Sequence, residues 1–215
     1  MAKKLYSLML NDRVVAAVDN EAHRLGTNRS ALIDSVLAEY FGVPTTQKMV
    51  SDIFREMDAL LSASTELIPF FAPNSGTFFV KSALAYKYRP TLKYELVFDT
   101  SNSNKLGDLS VNFRTQSGAL LQQLEHFFRV WAQVESEVLE EHNVSIQYSL
   151  FPNRFMRSIT LPEGNDYAAP QIAEAVSAYV NLLDASLKSF INAQKDAAAL
   201  KRDYVNYLQS AKIVL

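Results

Sequence analysis

Leu25-Gly26-Thr27-Asn28-Arg29-Ser30-Ala31-Leu32-Ile33 is the stretch on which the reading of the N-terminal part turns. Gly26 supplies the left-handed residue that ends a helix, and Asn28 supplies a side-chain oxygen that starts another. Working upstream, Val14, Val15, Val18, Ala22 and Leu25 recur at helical spacing behind Asn11 and Asp12, which offer a cap. Working downstream, the second helix carries Leu32, Ile33, Val36, Leu37, Tyr40 and Phe41, and Gly42, Val43 and Pro44 close it. Ahead of both helices the period is two. Tyr6, Leu8 and Leu10 share one face and Leu5, Ser7 and Met9 the other, which predicts a strand.

A lone strand and two helices in about forty residues cannot build an independent core. The simplest arrangement is a twofold dimer, with two strands paired antiparallel over four helices. Tyr6, Leu8, Leu10, Leu32 and Val36 would form its core. The order of elements and the turn at 25–33 resemble the ribbon-helix-helix family of MetJ, Arc and CopG type, over residues 3–42. The resemblance implies a β-ribbon that enters the major groove of double-stranded DNA. It assigns Leu5, Ser7 and Met9 to the base-facing side, with Lys3 at the approach. Asn28, Arg29 and Ser30 would face phosphate, a role the positive end of a helix favours independently.

Two features depart from the family habit. Leu5 and Met9 cannot hydrogen-bond base edges, although they can touch thymine methyl groups. Five basic residues (Lys3, Lys4, Arg13, Arg24, Arg29) are balanced by five acidic ones (Asp12, Asp19, Glu21, Asp34, Glu39), so electrostatic affinity per dimer is modest. Either several dimers bind side by side, or the module only dimerises.

Residues 44–215 read as an α+β domain, which makes the whole chain α+β with modules at 1–43 and 44–215. After a short joint, Thr45 or Thr46 caps a helix running to about Ile68, and Pro69–Gly76 is a loop. Three strands follow on the alternations from Phe78 to Lys87, Leu92 to Asp99 and Leu109 to Arg114, with Ser101–Gly107 as a polar turn. A helix from about Thr115 to Glu141 buries Leu120, Leu124, Phe127, Trp131, Val134 and Val138. Two more strands, Val144–Leu150 and Phe155–Leu161, bring the antiparallel sheet to about five. The segment from Pro170 to Leu215 lacks Gly and predicts one long helix, or two broken near Ala193. Its second half could pack on a partner chain.

The chain has 215 residues, no cysteine and a net charge of −2. Disulfides and thiolate metal sites are therefore excluded, and no global basic signal marks a nucleic-acid binder. The N-terminal apolar run is too short for a signal-peptide core, and nowhere are there 18 consecutive apolar residues, so a cytoplasmic protein without a membrane contact is expected. No phosphate-cradling glycine motif or nucleophile elbow occurs, and His23, His126 and His142 show no metal-ligand spacing. The run Glu135, Glu137, Glu140, Glu141 reads as a wet helix face. Tyr86-Lys87-Tyr88-Arg89 alternates aromatic and basic side chains, which suits a sheet edge with snorkelling cations, or contact with nucleic acid or an anionic ligand.

These readings lead to a homodimeric or higher-oligomeric DNA-binding regulator, most simply a repressor, without enzymatic activity, metal or cofactor. Its C-terminal domain would oligomerise, or bind a small-molecule or protein effector. A plasmid or phage DNA-maintenance protein is the alternative, and an antitoxin a more distant one.

Overall fold

The computed structural model describes residues 6–43, 45–71, 76–99, 105–142, 144–164 and 167–215. The chain is α+β and divides into two compact units, Met1–Met49 and Val50–Leu215. The boundary falls a few residues beyond the joint expected at 43/44, inside a continuous helix.

In the first unit, α1 spans Asp12–Arg24 and α2 spans Arg29–Tyr40. The Asn11 side chain accepts from the Arg13 N–H and the Asn28 side chain from the Ala31 N–H, so both expected caps form. Between them Gly26 adopts φ +65°. The Thr27 N–H donates to the Ala22 carbonyl and the Gly26 N–H to that of His23, which satisfies the last carbonyls of α1. Gly42 closes α2 the same way, with Val43 bonding Ala38 and Gly42 bonding Glu39.

The ribbon expected ahead of α1 is not formed. Residues 6–10 carry no strand, and every strand of the described chain lies after Glu66. The reason is physical: strand ladders need a second segment, and the described residues of this unit include no other extended segment to pair with. Lys3 and Leu5 lie outside the described residues.

The second unit begins within α3 (Thr46–Ser62), capped by the Thr45 hydroxyl, which accepts from the Lys48 N–H. Six strands follow: β1 Leu67–Phe71, β2 Thr77–Ala83, β3 Thr91–Phe98, β4 Lys105–Phe113, β5 Tyr148–Phe151 and β6 Arg154–Thr160. They form one antiparallel sheet in the order β1-β2-β3-β4-β6-β5. Helix α4 (Gly118–Glu140) separates β4 from β5, and α5 (Ala169–Ile191) and α6 (Ala197–Ser210) end the chain.

The sheet has six strands rather than five because β1 replaces the expected end of α3 and loop. Pro69 disguises it, yet proline is tolerated on an edge strand, and β1 is an edge. Gly107 belongs to β4, not to a turn. It sits at a register shift, and a Cβ there would lie 2.1 Å from the Val97 carbonyl oxygen. The break near Ala193 is real: Ala193 takes φ +53° after α5 and α6 restarts at Ala197 behind the Asp196 cap. Helix α6 packs on α4 of the same chain, burying Leu200 and Tyr204, so no partner chain is needed there.

One sheet face carries Phe78, Val80, Tyr94, Leu96, Phe98, Val111 and Phe155, all buried. Phe54 of α3 lies on Phe78 and Phe98, and Phe128 of α4 stacks on Phe113 and Phe155. Tyr94 donates to Asp184 of α5 at 2.9 Å. The opposite face carries Phe70, Phe79, Lys81, Lys93 and Glu95, exposed or half-buried. This is the usual division of an antiparallel sheet between core and water.

Candidate nucleic-acid interface

The first unit has two capped helices and almost no core. Ala22 is its only buried hydrophobic residue among those described. Eleven of the seventeen large hydrophobic residues exposed in the described chain lie between Tyr6 and Val43. Tyr6 is 77% exposed, Leu8 63%, Leu10 42% and Val36 54%, while Leu32 is half-buried. The residues expected to form a dimer core are thus present on the surface of a single chain. Ser7 and Met9, expected to face bases, are exposed as well.

Asn28, Arg29 and Ser30 stand together at the start of α2, all exposed. Asn28 spends its side-chain oxygen on the Ala31 N–H. Arg29 forms a two-pronged pair with Asp19 of α1, Nε to Oδ1 at 2.7 Å and Nη2 to Oδ2 at 2.5 Å. The Arg29 hydrogen bond holds the Asp19 carboxyl below its ordinary range. A phosphate at this helix start competes with Asp19 for the guanidinium. Arg24 is likewise tied to Glu21, which leaves Arg13 as the arginine of this unit without an ion pair among the described residues.

No protein-family model, curated protein or solved structure matches the chain. Its chemistry is therefore read from its own side chains.

In the second unit the most elaborate polar cluster is sealed in the core. Glu135 of α4 and Arg157 of β6 are both fully buried and paired, with Nη2 to Oε1 at 3.0 Å. Arg157 also donates to the main-chain oxygens of Ser158 and Leu215, and its guanidinium lies 4.3 Å from the centre of the Tyr179 ring. Tyr179 donates to Glu135 at 2.9 Å and accepts from the Trp131 indole at 3.1 Å. Burial opposes the charge on Arg157, but Glu135 outweighs it and holds the guanidinium protonated. Burial raises Tyr179 well above its ordinary value, and raises Tyr148 and Tyr204 too; Tyr207 is pushed up to about 12.

This cluster corrects one expectation: Glu135 is not on a wet face, although Glu137, Glu140 and Glu141 are exposed. Its sequence signal is Arg157 standing in register with Phe155 and Ile159 on the inward face. With every charge paired and no exposure, the cluster organises the core.

His142 places Nδ1 3.0 Å from the Val138 carbonyl at the end of α4, and His126 packs beside Phe190. Among the described residues no group of three or more acidic or histidine side chains could hold a metal ion. No described helix is long and apolar enough to cross a membrane.

Tyr86, Lys87, Tyr88 and Arg89 do not form a sheet edge. They occupy the turn between β2 and β3, closed by Arg89 N–H to Tyr86 carbonyl and Leu84 N–H to Pro90 carbonyl bonds. Tyr88 and Arg89 both adopt positive φ, 66° and 43°. The turn borders an open groove of about 1120 Å³.

Proposed function

We infer that the chain is a homodimeric DNA-binding regulator that uses its first forty-odd residues as a ribbon-helix-helix module. The observation that carries this reading is the first unit's missing core. Two well-capped helices expose Tyr6, Leu8, Leu10 and Val36 with Ala22 alone buried. Leaving such side chains in water forfeits roughly 1.5–3 kcal/mol each relative to burial. A second copy supplies what is missing in one step. Two 5–10 segments pair antiparallel, and the exposed apolar face of each helix pair closes on its twin. Residues 6–10 become strand only when a partner strand exists.

In that dimer Ser7 and Met9 face outward toward base edges, with Leu5 and Lys3 beside them. The starts of both α2 helices face phosphates. The most direct role for such a protein is repression by occupancy of an operator. The dimer alone binds modestly, since Arg29 and Arg24 are already paired with carboxylates.

The same pairing supports a second reading, in which the module only dimerises and DNA contact lies elsewhere. A salt titration of duplex binding separates the two. The Leu8→Asp chain buries an unpaired charge on dimerisation. Loss of both dimer and duplex binding supports the first reading; a monomer that binds duplex with wild-type affinity refutes it.

A further inference from the structure

The outer face of the sheet holds an arrangement that folding alone does not favour. Lys81 of β2 and Lys93 of β3 are direct cross-strand neighbours. Like charges in this position repel and destabilise a sheet. Neither has a carboxylate partner among the described residues. Each rests instead on an aromatic ring: Lys81 lies 4.9 Å from the centre of Phe70, and Lys93 3.8 Å from that of Phe79. The two rings stack on each other at 5.1 Å. Glu95, the nearby acid on this face, accepts from the neutral Asn112 amide at 3.3 Å and forms no ion pair with either lysine.

Lys81 also lines the open groove where β1 begins and β2 ends, together with Lys87, Arg89 and Lys188. The groove has one carboxylate, Glu66, and it is taken: Lys188 bonds Glu66 at 2.6 Å and Asp184 at 2.7 Å. Lys87 sits 5.1 Å from the centre of the Tyr88 ring, and Arg89 has no ion pair among the described residues. Lys81, Lys87, Arg89 and Lys93 thus lie along the sheet face and its 84–90 turn with no ion pair among the described residues, on a chain of net charge −2.

One further detail sets the region apart. The turn holds Tyr88 and Arg89 in the left-handed region, a strained conformation for non-glycine residues that clusters at binding sites. That strain presents Tyr88 almost wholly to solvent.

We propose that the outer face of β1–β3 and the 84–90 turn bind a single strand of nucleic acid, with Lys81, Lys87, Arg89 and Lys93 on its phosphates and Phe70 and Phe79 beneath its bases. Cations interleaved with flat rings on an open surface are the combination that strand binding uses. The lysines now covering the rings move onto phosphates, which relieves their mutual repulsion. The site lies wholly within the second unit and does not depend on the reading of the first.

The test uses the full chain and a short labelled oligothymidylate, followed by fluorescence anisotropy across a salt series. Replacing Lys81, Lys87, Arg89 and Lys93 together by alanine is expected to weaken binding at least tenfold. The salt slope should fall by roughly 0.7 for each phosphate that is no longer neutralised. Phe70→Ala is expected to weaken binding about fivefold or more while leaving that slope unchanged. Circular dichroism melts matching the parent show that neither variant acts through unfolding. Equal binding by the parent and the fourfold variant overturns the proposal. So does binding abolished in Leu8→Asp but kept in the fourfold variant, which assigns the strand to the first unit. Displacement by millimolar inorganic phosphate with no dependence on Phe70 assigns the cations to a free anion and overturns the strand.

Discussion

Replacing Glu135 by glutamine removes one charge from the core and almost no volume. Arg157 keeps its bonds to the main-chain oxygens of Ser158 and Leu215 and its place beside Tyr179. It loses the carboxylate that meets Nε at 3.1 Å and Nη2 at 3.0 Å. Both side chains are fully buried, so water cannot take over. Breaking such a pair on one side costs about 3–5 kcal/mol. For a chain of this length that lowers the melting temperature by roughly 6–20 °C. The double variant Glu135→Leu with Arg157→Met removes both charges. It leaves the Tyr179 hydroxyl short of its acceptor and the main-chain oxygens of Ser158 and Leu215 short of a donor, each a loss of about 1–3 kcal/mol, but no buried charge without a partner. The double variant is therefore expected to be more stable than the sum of its single changes implies, because neither charge is left buried alone. Urea denaturation followed by Trp131 fluorescence measures both, since the indole donates into the cluster. A cost below about 1 kcal/mol for Glu135→Gln, or a double variant as unstable as the sum of its single changes, would refute the reasoning.

Gly107→Ala drives a Cβ into the Val97 carbonyl at the β4 bulge and is expected to cost about 1–3 kcal/mol by chemical denaturation, as overpacking does. At alkaline pH the buried tyrosines govern stability. Burial raises Tyr94, Tyr148, Tyr179, Tyr204 and Tyr207 above their ordinary value of 10.0. Their contribution is fully present below pH 10 and is lost as pH climbs through the folded values, starting with Tyr207 at about 12. The tyrosinate absorbance of these five should therefore appear only together with the loss of ellipticity; ionisation of all ten tyrosines near pH 10 without unfolding would contradict it. In the first unit, Asp19→Asn frees Arg29 and should tighten duplex binding. Arg29→Ala should weaken it for all sequences and flatten the salt slope by about one phosphate's worth, as salt-titrated anisotropy would show.

Much of this architecture is legible in the sequence wherever a period runs unbroken. The stripe Leu120, Leu124, Phe127, Trp131, Val134 and Val138 is buried as its spacing implies. The turn at Gly26, the caps at Asn11 and Asn28 and the break at Ala193 follow from local backbone chemistry. What escapes is decided by distant partners. Pro69 reads as a breaker because its edge position is a property of the whole sheet. Gly107 reads as a turn residue because its role is to let the β3 backbone approach. Glu135 reads as solvated because its partner stands 22 residues further on.

The candidate sites divide along the same line. Asn28, Arg29 and Ser30 are brought together at a helix start because they are adjacent in sequence. That Asp19 occupies Arg29 is invisible without the packing of α1 on α2. The facing of Lys81 and Lys93 requires the β2–β3 register, which no single-strand pattern supplies. The ribbon is the reverse case: the alternation of residues 5–10 is plain, but a strand also needs something to pair with.

Sedimentation equilibrium of the full chain at micromolar concentration, run beside its Leu8→Asp variant, tests the dimer most directly. Twice the chain mass is expected for the parent and a single chain mass for the variant. A monomeric parent would contradict the dimer, because Tyr6, Leu8, Leu10 and Val36 would then face water with no second copy to cover them.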